Sequence, residues 1–291
     1  MLEQLREIDI SPKSHRPGQD KYLSARAFEA LPYIYNEKGK FLVDFYTYFR
    51  WMDDIADSPD WPIEMRKQFM DRQITHITGQ ELLETPLPIE EFFQGLNFNA
   101  IPNGGKPEVI KQFAVLAGTI KDDLDHFGLI PRTKEEARDY GTRVLLPYAQ
   151  VISLTLNGEE IQSTPQFEGF LADWNYMGSL MHFPKDKNEE SIIKVGFTSG
   201  EVDEIMRSAD EEGRRRKINE IFTHQRFRTE WKQTLSDFRA GISSFKSLNM
   251  PAYQKLISAS YLSIREPIRL PKIFERLEKE LAEGSPLLLP S

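Results

Sequence analysis

The sequence predicts an all-α protein. In nearly every long segment, apolar residues recur with the 3.6-residue period of a helix, and no run of alternating apolar and polar residues indicates a set of strands. Proline and glycine signals divide these segments. No linker-like or low-complexity stretch splits the chain, so residues 1–291 are expected to form a single domain. The expected architecture is a helical bundle around a central cavity, with residues 1–18 loosely ordered.

Each expected helix lies between two of these breaks, because proline ends a helical hydrogen-bond ladder and glycine weakens it. In chain order the breaks are Pro32, Ser58 to Pro62, Pro86 and Pro88, Asn103 to Gly105, Pro131, Asn157-Gly158, Pro165, Pro184, Gly196 and Gly200, Met250-Pro251, and Pro267. The helices are expected at about 21–31, 37–57, 63–79, 107–127, 133–156, 166–183, 200–221, 223–246, 252–265 and 271–283.

Composition excludes several classes of function. The 291 residues include no cysteine, which rules out disulfides, thiolate zinc sites and a cysteine nucleophile. The net charge is −8, and the one basic run, 214–217, has acidic neighbours, so nucleic acid is not expected as a partner. The first residues lack the apolar core of a signal peptide, and no run of 18 apolar residues occurs. A cytoplasmic location is expected, and peripheral contact with a membrane stays open.

The most informative segment is the second expected helix. Tyr46, Arg50, Asp53 and Asp57 are spaced by four, three and four residues, which places them along one face, with Asp54 at its edge. Carboxylates in one line repel each other unless a cation lies between them. Magnesium suits this position, because it takes one or two carboxylates and completes its shell with water and phosphate oxygens.

The alternative interpretation is a solvated acidic surface at a helix end. The flanking residues argue against it, because they make the helix apolar on nearly every side, as in a helix buried in a bundle. They are Tyr48, Phe49, Trp51, Met52 and Ile55. Carboxylates on a buried helix need partners or a metal.

The run Y-x-x-x-R-x-x-D-D-x-x-D formed by these residues resembles the first aspartate-rich motif of the squalene/phytoene synthase family. The segment 24–28, which contains Arg26, is similar to that family's S-x-S-F segment. Asp125 and Tyr140 match a later acidic residue and an active-site tyrosine of the family. The resemblance implies an isoprenoid-synthase-type bundle that uses Mg²⁺ to join two prenyl diphosphates head to head.

Two departures separate this chain from the family pattern. Small residues follow the family's active-site tyrosine, whereas Leu145, Leu146 and Tyr148 stand here and would reshape the cavity, with Pro147 expected to kink the helix. The other departure concerns the family's second metal-binding motif. In an ungapped alignment, its two aspartates correspond to Phe183 and Lys187. A shift of one residue places His182 and Asp186 there instead. Asn175 and Ser179, four apart, resemble part of the second motif of class I terpene synthases.

The resemblance therefore implies a set of site residues. The implied metal ligands are Asp53, Asp54, Asp57 and Asp186; the implied catalytic residues are Arg50, Asp125 and Tyr140. The implied substrate-binding residues are Arg26, Tyr46, Arg50, Asn175, Ser179 and Tyr261. The leading hypothesis is a magnesium-dependent prenyltransferase acting on C15 or C20 diphosphates. The alternatives are a terpene synthase that acts on one substrate, a catalytically degenerate member that binds lipid or assists assembly, and a plain helical scaffold.

Overall fold

The computed structural model describes residues 31–58, 61–80, 85–126, 132–186, 196–208 and 210–246, together with the single positions 272, 275 and 279. Within these residues the regular structure is helical and contains no strand, which confirms the all-α class. The α-helices in these ranges are α1 Leu31–Ala56, α2 Ile63–Thr78, α3 Pro88–Gln94, α4 Lys106–Asp123, α5 Lys134–Asn157, α6 Pro165–Asp186, α7 Ser199–Met206, α8 Glu211–Phe222 and α9 Gln225–Lys246. Short 3-10 turns occur at Phe98–Ala100, Pro102–Gly104 and Leu124–His126.

Most expected helices agree with the structure, and two corrections follow from helix caps. The single helix expected at 200–221 is wrong, because Asp210 caps a new helix by accepting a hydrogen bond of 2.7 Å from the Gly213 N–H. Helix α3 was not expected; it begins at Pro88, and the Glu90 carboxylate accepts a hydrogen bond of 2.7 Å from the N–H of Leu87, the residue before it. The helices expected at 21–31, 252–265 and 271–283 lie almost wholly outside the described residues, as does the segment 1–18.

The chain folds into two compact units. Unit 1 comprises Met1–Asp125 and Leu146–Ile161, and unit 2 comprises His126–Leu145 and Gln162–Ser291. Helix α5 therefore contributes its first half to unit 2 and its second half to unit 1, and it continues through Pro147 near the division. The single domain and its central cavity stay predictions.

Unit 1 is built on a cluster of aromatic rings around Phe113. Six rings lie with their centroids 5.0–6.4 Å from the Phe113 centroid. They are Phe41, Phe45, Tyr48, Phe49, Phe93 and Phe98. Four of them come from α1, where their helical spacing places them toward the core. Each such ring pair adds about 0.5–1.5 kcal/mol beyond the burial of its apolar area.

A buried polar network ties α1, α2 and α3 together. The Glu90 carboxylate, which is fully buried, accepts hydrogen bonds from the Arg72 guanidinium (2.6 and 2.7 Å), the Gln73 amide (2.9 Å) and the Leu87 N–H (2.7 Å). The Tyr48 hydroxyl donates to Gln73 at 3.2 Å. Burial raises the pKa of Tyr48 well above its ordinary value, and the charge of Glu90 adds to this effect. The network fixes the direction of α1 before its acidic end.

Unit 2 is built from the first half of α5 together with α6 to α9. Its core residues come from all of these helices and the turn before α7. They include Ala137, Phe167, Phe170, Tyr176, Phe197, Ile205, Ile218, Phe222, Phe227 and Leu235. Helix α9 runs against α6 so closely that a Cβ atom at Gly241 would lie 2.9 Å from the Phe170 Cβ. This close approach fixes α6, which carries several of the predicted site residues.

Candidate functional site

The acidic end of α1 carries the predicted site. The helix is interrupted at Asn36, where φ is 50° and ψ is −124°, and its buried side faces the aromatic core of unit 1. Tyr46, Arg50, Asp53 and Asp54 occupy partly exposed positions on α1, and Asp57, directly after the helix, is partly exposed as well. The flanking residues Tyr48, Phe49, Trp51, Met52 and Ile55 are buried, as the sequence predicts.

Arg50 joins two of the three carboxylates. Its Nη1 lies 3.0 Å from Asp53 Oδ2 and its Nη2 lies 2.6 Å from Asp54 Oδ1. The side chains of Arg50, Asp53 and Asp54 are 34%, 34% and 35% exposed. From the sequence, a bound cation was expected to relieve the repulsion between the aspartates. Here a guanidinium of the same helix relieves part of it.

The magnesium site predicted from the sequence would need only one or two carboxylates besides water and phosphate oxygens. Asp53 and Asp54 offer two carboxylates that reach solvent on adjacent positions. Within the described residues, no group of three or more His, Cys, Asp or Glu side chains is arranged to hold a metal ion. A site here would therefore depend on oxygens supplied by water or a ligand.

Two basic residues of α2 lie beside other predicted acidic residues. Arg66 is buried and donates a hydrogen bond of 2.9 Å to the carbonyl of Ala56, the last residue of α1. Burial lowers the pKa of Arg66, and the negative charge of Asp57 opposes that shift. Lys67 pairs with Asp125 at 2.6 Å, and this bond raises the pKa of Lys67. The sequence reasoning missed both contacts, because each joins α2 to a residue of another element.

Asp125 belongs to the 3-10 turn that follows α4, and its side chain is 61% exposed. An ion pair of this kind with Lys67 is typical of a carboxylate on the protein surface. The pocket role that the resemblance implies for Asp125 stays a prediction.

Tyr140 and Tyr148 lie on the two halves of α5. In unit 2 the Tyr140 ring is buried, and the Arg132 guanidinium lies 4.3 Å from its centroid, a cation–π contact. In unit 1 the Tyr148 ring lies 5.0 Å from the Phe45 ring and 6.3 Å from the Phe49 ring. Tyr148 thus belongs to the aromatic core of unit 1. Its expected effect on a substrate cavity stays a prediction.

Asn175 and Ser179 lie one turn apart on α6. The Ser179 hydroxyl donates to the Asn175 carbonyl at 3.1 Å, a bond within the helix itself. The Asn175 side chain lies against Gly141 of α5, where an added Cβ would be 2.6 Å from the Asn175 Cβ. The absence of a side chain at Gly141, the residue after Tyr140, lets α6 approach α5.

The remaining predicted residues are only partly described. Asp186 is the last residue of α6, which continues through Pro184 rather than ending at residue 183. Its side chain lies outside what the structure describes, as do Arg26 and Tyr261 in full.

The sequence reasoning also missed a polar cluster in unit 2. Asp173 is buried on α6 and pairs with Arg138 of α5 at 2.9 Å. One turn later the Tyr176 hydroxyl donates to Glu230 of α9 at 2.9 Å. The signal available in the sequence was two polar residues three apart in the apolar run of α6.

Comparisons with known proteins give no relative for this chain: no family model, no curated protein and no solved structure matches it. Across the part of the chain that the structure describes, the helices fall short of the length and apolarity that crossing a lipid bilayer requires. The candidate function consequently depends on the residues of the site alone.

Proposed function

We propose that this chain is a magnesium-dependent prenyltransferase that acts on C15 or C20 prenyl diphosphates. The observation that supports it is the acidic end of α1. Asp53 and Asp54 reach solvent in the last turns of α1, Asp57 follows directly after the helix, and Arg50 one turn earlier pairs with the first two. Carboxylates for a divalent cation and a guanidinium for phosphate oxygens are the two groups that recognise a diphosphate.

Magnesium bound here would act as a Lewis acid on the diphosphate leaving group. The residues of the chain perform the remaining tasks. Asp53 and Asp54, each about one-third exposed, would hold the cation from one side. Arg50 can move its fork of N–H donors from these carboxylates to diphosphate oxygens, which adds positive charge where negative charge develops. The network that joins Tyr48 to Glu90 keeps α1 in place while Arg50 changes partners.

A second candidate is a catalytically degenerate member of such a family that binds a prenyl lipid or assists assembly. The specific observation in its favour is Tyr148, whose ring fills the space against Phe45 and Phe49. A tyrosine in this position would reduce the room for a long prenyl chain within the aromatic core of unit 1. A terpene synthase acting on one substrate would use the same end of α1 and differ in its product.

The test is incubation with farnesyl or geranylgeranyl diphosphate and Mg²⁺, followed by measurement of released diphosphate and analysis of the lipid product. We expect magnesium-dependent release that is abolished in the double variant Asp53→Ala, Asp54→Ala. The matched control is Asp71→Ala, which removes a carboxylate of the same unit that is 59% exposed and pairs with Lys121. This control should keep full activity.

Each outcome selects one candidate. A product with two prenyl units supports the prenyltransferase, and a product with one unit supports the terpene synthase. Binding of the diphosphate without release supports the degenerate member. Neither binding nor release, with any substrate from C10 to C20, refutes all three.

A further inference from the structure

The polar cluster of unit 2 surrounds a buried carboxylate with charges from two other helices. Asp173 of α6 is buried, and Arg138 of α5 lies 2.9 Å from its Oδ1. Lys134, one turn before Arg138, also acts on Asp173 electrostatically, and so does Asp237 of α9. Two cations from α5 thus oppose one anion from α9. The cations favour the charged form of Asp173, whereas burial and Asp237 favour its protonated form.

The surroundings of Asp173 allow little rearrangement of the backbone. The Tyr176 hydroxyl is tied to Glu230 of α9 at 2.9 Å, and the Lys134 ammonium lies 5.8 Å from the Tyr176 ring centroid. On the α5 side, Gly141 meets Asn175 so closely that no Cβ fits between them. A change in charge at Asp173 must therefore be answered by side chains. Arg138, whose side chain is 31% exposed, is the partner that can turn toward water.

We propose that Asp173 is a proton-binding site between α5, α6 and α9, and that uptake of a proton there releases Arg138 from its ion pair. The contact between α5 and α6 then responds to mildly acidic pH. This inference concerns unit 2 and does not depend on the proposed prenyltransferase activity.

The direction of the effect follows from the charges around the carboxyl group. Burial raises the pKa of Asp173 from 3.8 to about 6; Arg138 opposes this shift, Asp237 adds to it and Lys134 opposes it. The folded protein therefore keeps a proton that the unfolded chain releases above about pH 4. Proton binding favours folding below that pH, and this contribution is lost as the pH rises through 6. The difference of about two pH units corresponds to about a hundredfold in the unfolding equilibrium constant.

The first experiment compares wild type with Asp173→Asn, a neutral side chain of the same shape, by urea unfolding at pH values from 4 to 7.5. Because other groups titrate equally in both proteins, the ratio of their unfolding equilibrium constants isolates Asp173. We expect the two proteins to be alike at pH 4 and the wild type to unfold up to about a hundredfold more readily at pH 7.5. A ratio that does not change with pH, or changes in the opposite direction, overturns the proposal.

The second experiment follows the Asp173 carboxyl carbon by NMR, assigned by its absence in Asp173→Asn. We expect a midpoint near pH 6. Arg138→Gln should raise the midpoint and Asp237→Asn should lower it, because they remove a cation and an anion. The control is Asp139→Asn, which alters an α5 carboxylate that is 69% exposed and pairs with Arg143.

The release of Arg138 is tested in the same titration. Its side-chain Nε–H resonance, assigned by Arg138→Lys, should change with the same midpoint as Asp173 and should stop changing in Asp173→Asn. A midpoint for Asp173 below about pH 4.5 refutes the proton-binding site. An Arg138 resonance that does not follow it refutes the release.

Discussion

The substitution Gly141→Ala tests the closest approach between α5 and α6. An alanine Cβ would lie 2.6 Å from the Asn175 Cβ, 2.9 Å from its Nδ2 and 3.0 Å from its Cγ. Ordinary contact between carbon atoms occurs at about 3.5–4.0 Å, so about 1 Å of separation must be recovered by movement of one helix or side chain. Moving the Asn175 side chain does not suffice, because its nearest atom is the Cβ, which is fixed to the backbone of α6.

Two opposing contributions determine how much Gly141→Ala changes the free energy of unfolding. Replacing glycine by alanine inside a helix stabilises it by about 1 kcal/mol. Overpacking a close contact costs about 1–3 kcal/mol, and here a Cβ–Cβ overlap places the cost toward the upper end. We therefore expect a net loss of about 1–2 kcal/mol in the free energy of unfolding, measured by urea unfolding with circular dichroism at 222 nm.

A second substitution at the partner position separates this clash from other effects. Asn175→Gly removes the Cβ that the new methyl group meets, so Gly141→Ala in that background should cost nothing or stabilise slightly. Asn175→Ala keeps the Cβ and should therefore not restore the stability that Gly141→Ala removes. The coupling energy between Gly141→Ala and Asn175→Gly should exceed about 1 kcal/mol, as expected for residues in contact.

The control is Gly169→Ala, because Gly169 lies within α6 of the same unit and an added Cβ there meets no atom within 4 Å. It should stabilise the protein by about 0.5–1 kcal/mol. If Gly141→Ala stabilises as much as Gly169→Ala does, the two helices do not approach as described, and the reasoning about α5 and α6 is refuted.

Two further predictions concern unit 1. Glu90→Gln should lower the free energy of unfolding by about 3 kcal/mol, since it leaves the Arg72 guanidinium, 19% exposed, beside a neutral amide; a loss below about 1 kcal/mol would contradict a buried ion pair. Arg50→Gln should cost less than about 1 kcal/mol, because its pairs with Asp53 and Asp54 are one-third exposed, and the cost should fall further in about 1 M salt. Thermal unfolding at two salt concentrations measures both effects.

The fold class and most helix positions could be predicted because they depend on local signals. The expected start at residue 37 agrees with the interruption of α1 at Asn36, and the expected end of the following helix agrees with Gly79, whose positive φ of 68° ends α2. The error at 200–221 has a local cause as well. Asp210 caps a new helix, although the apolar residues of 200–221 follow one continuous helical period. Periodicity alone does not show whether such a cap interrupts a helix.

The site was less accessible to prediction because its partners are distant in the sequence. The stripe on α1 followed from spacing within one helix, and Arg50 was placed correctly beside its aspartates. The pairs of Asp125 with Lys67 and of Asp173 with Arg138 connect different helices. No periodicity in one segment indicates such a pair, since it arises from how the helices pack. The close approach of Gly141 to Asn175 has the same origin.

The ion pairs of Arg50 also change what the proposed function requires. Arg50 already pairs with one oxygen of Asp53 and one oxygen of Asp54, so a cation that binds these carboxylates meets a positive charge beside them, and magnesium alone would gain little at this position. A diphosphate removes that obstacle, because it offers Arg50 a bidentate anionic partner while it contributes oxygens to the cation. Each ligand then strengthens the binding of the other, and by linkage the two effects are equal. The acidic end of α1 is therefore proposed as a site for a magnesium–diphosphate complex rather than for a free ion, since the diphosphate would give Arg50 a new anionic partner while the cation takes the carboxylates.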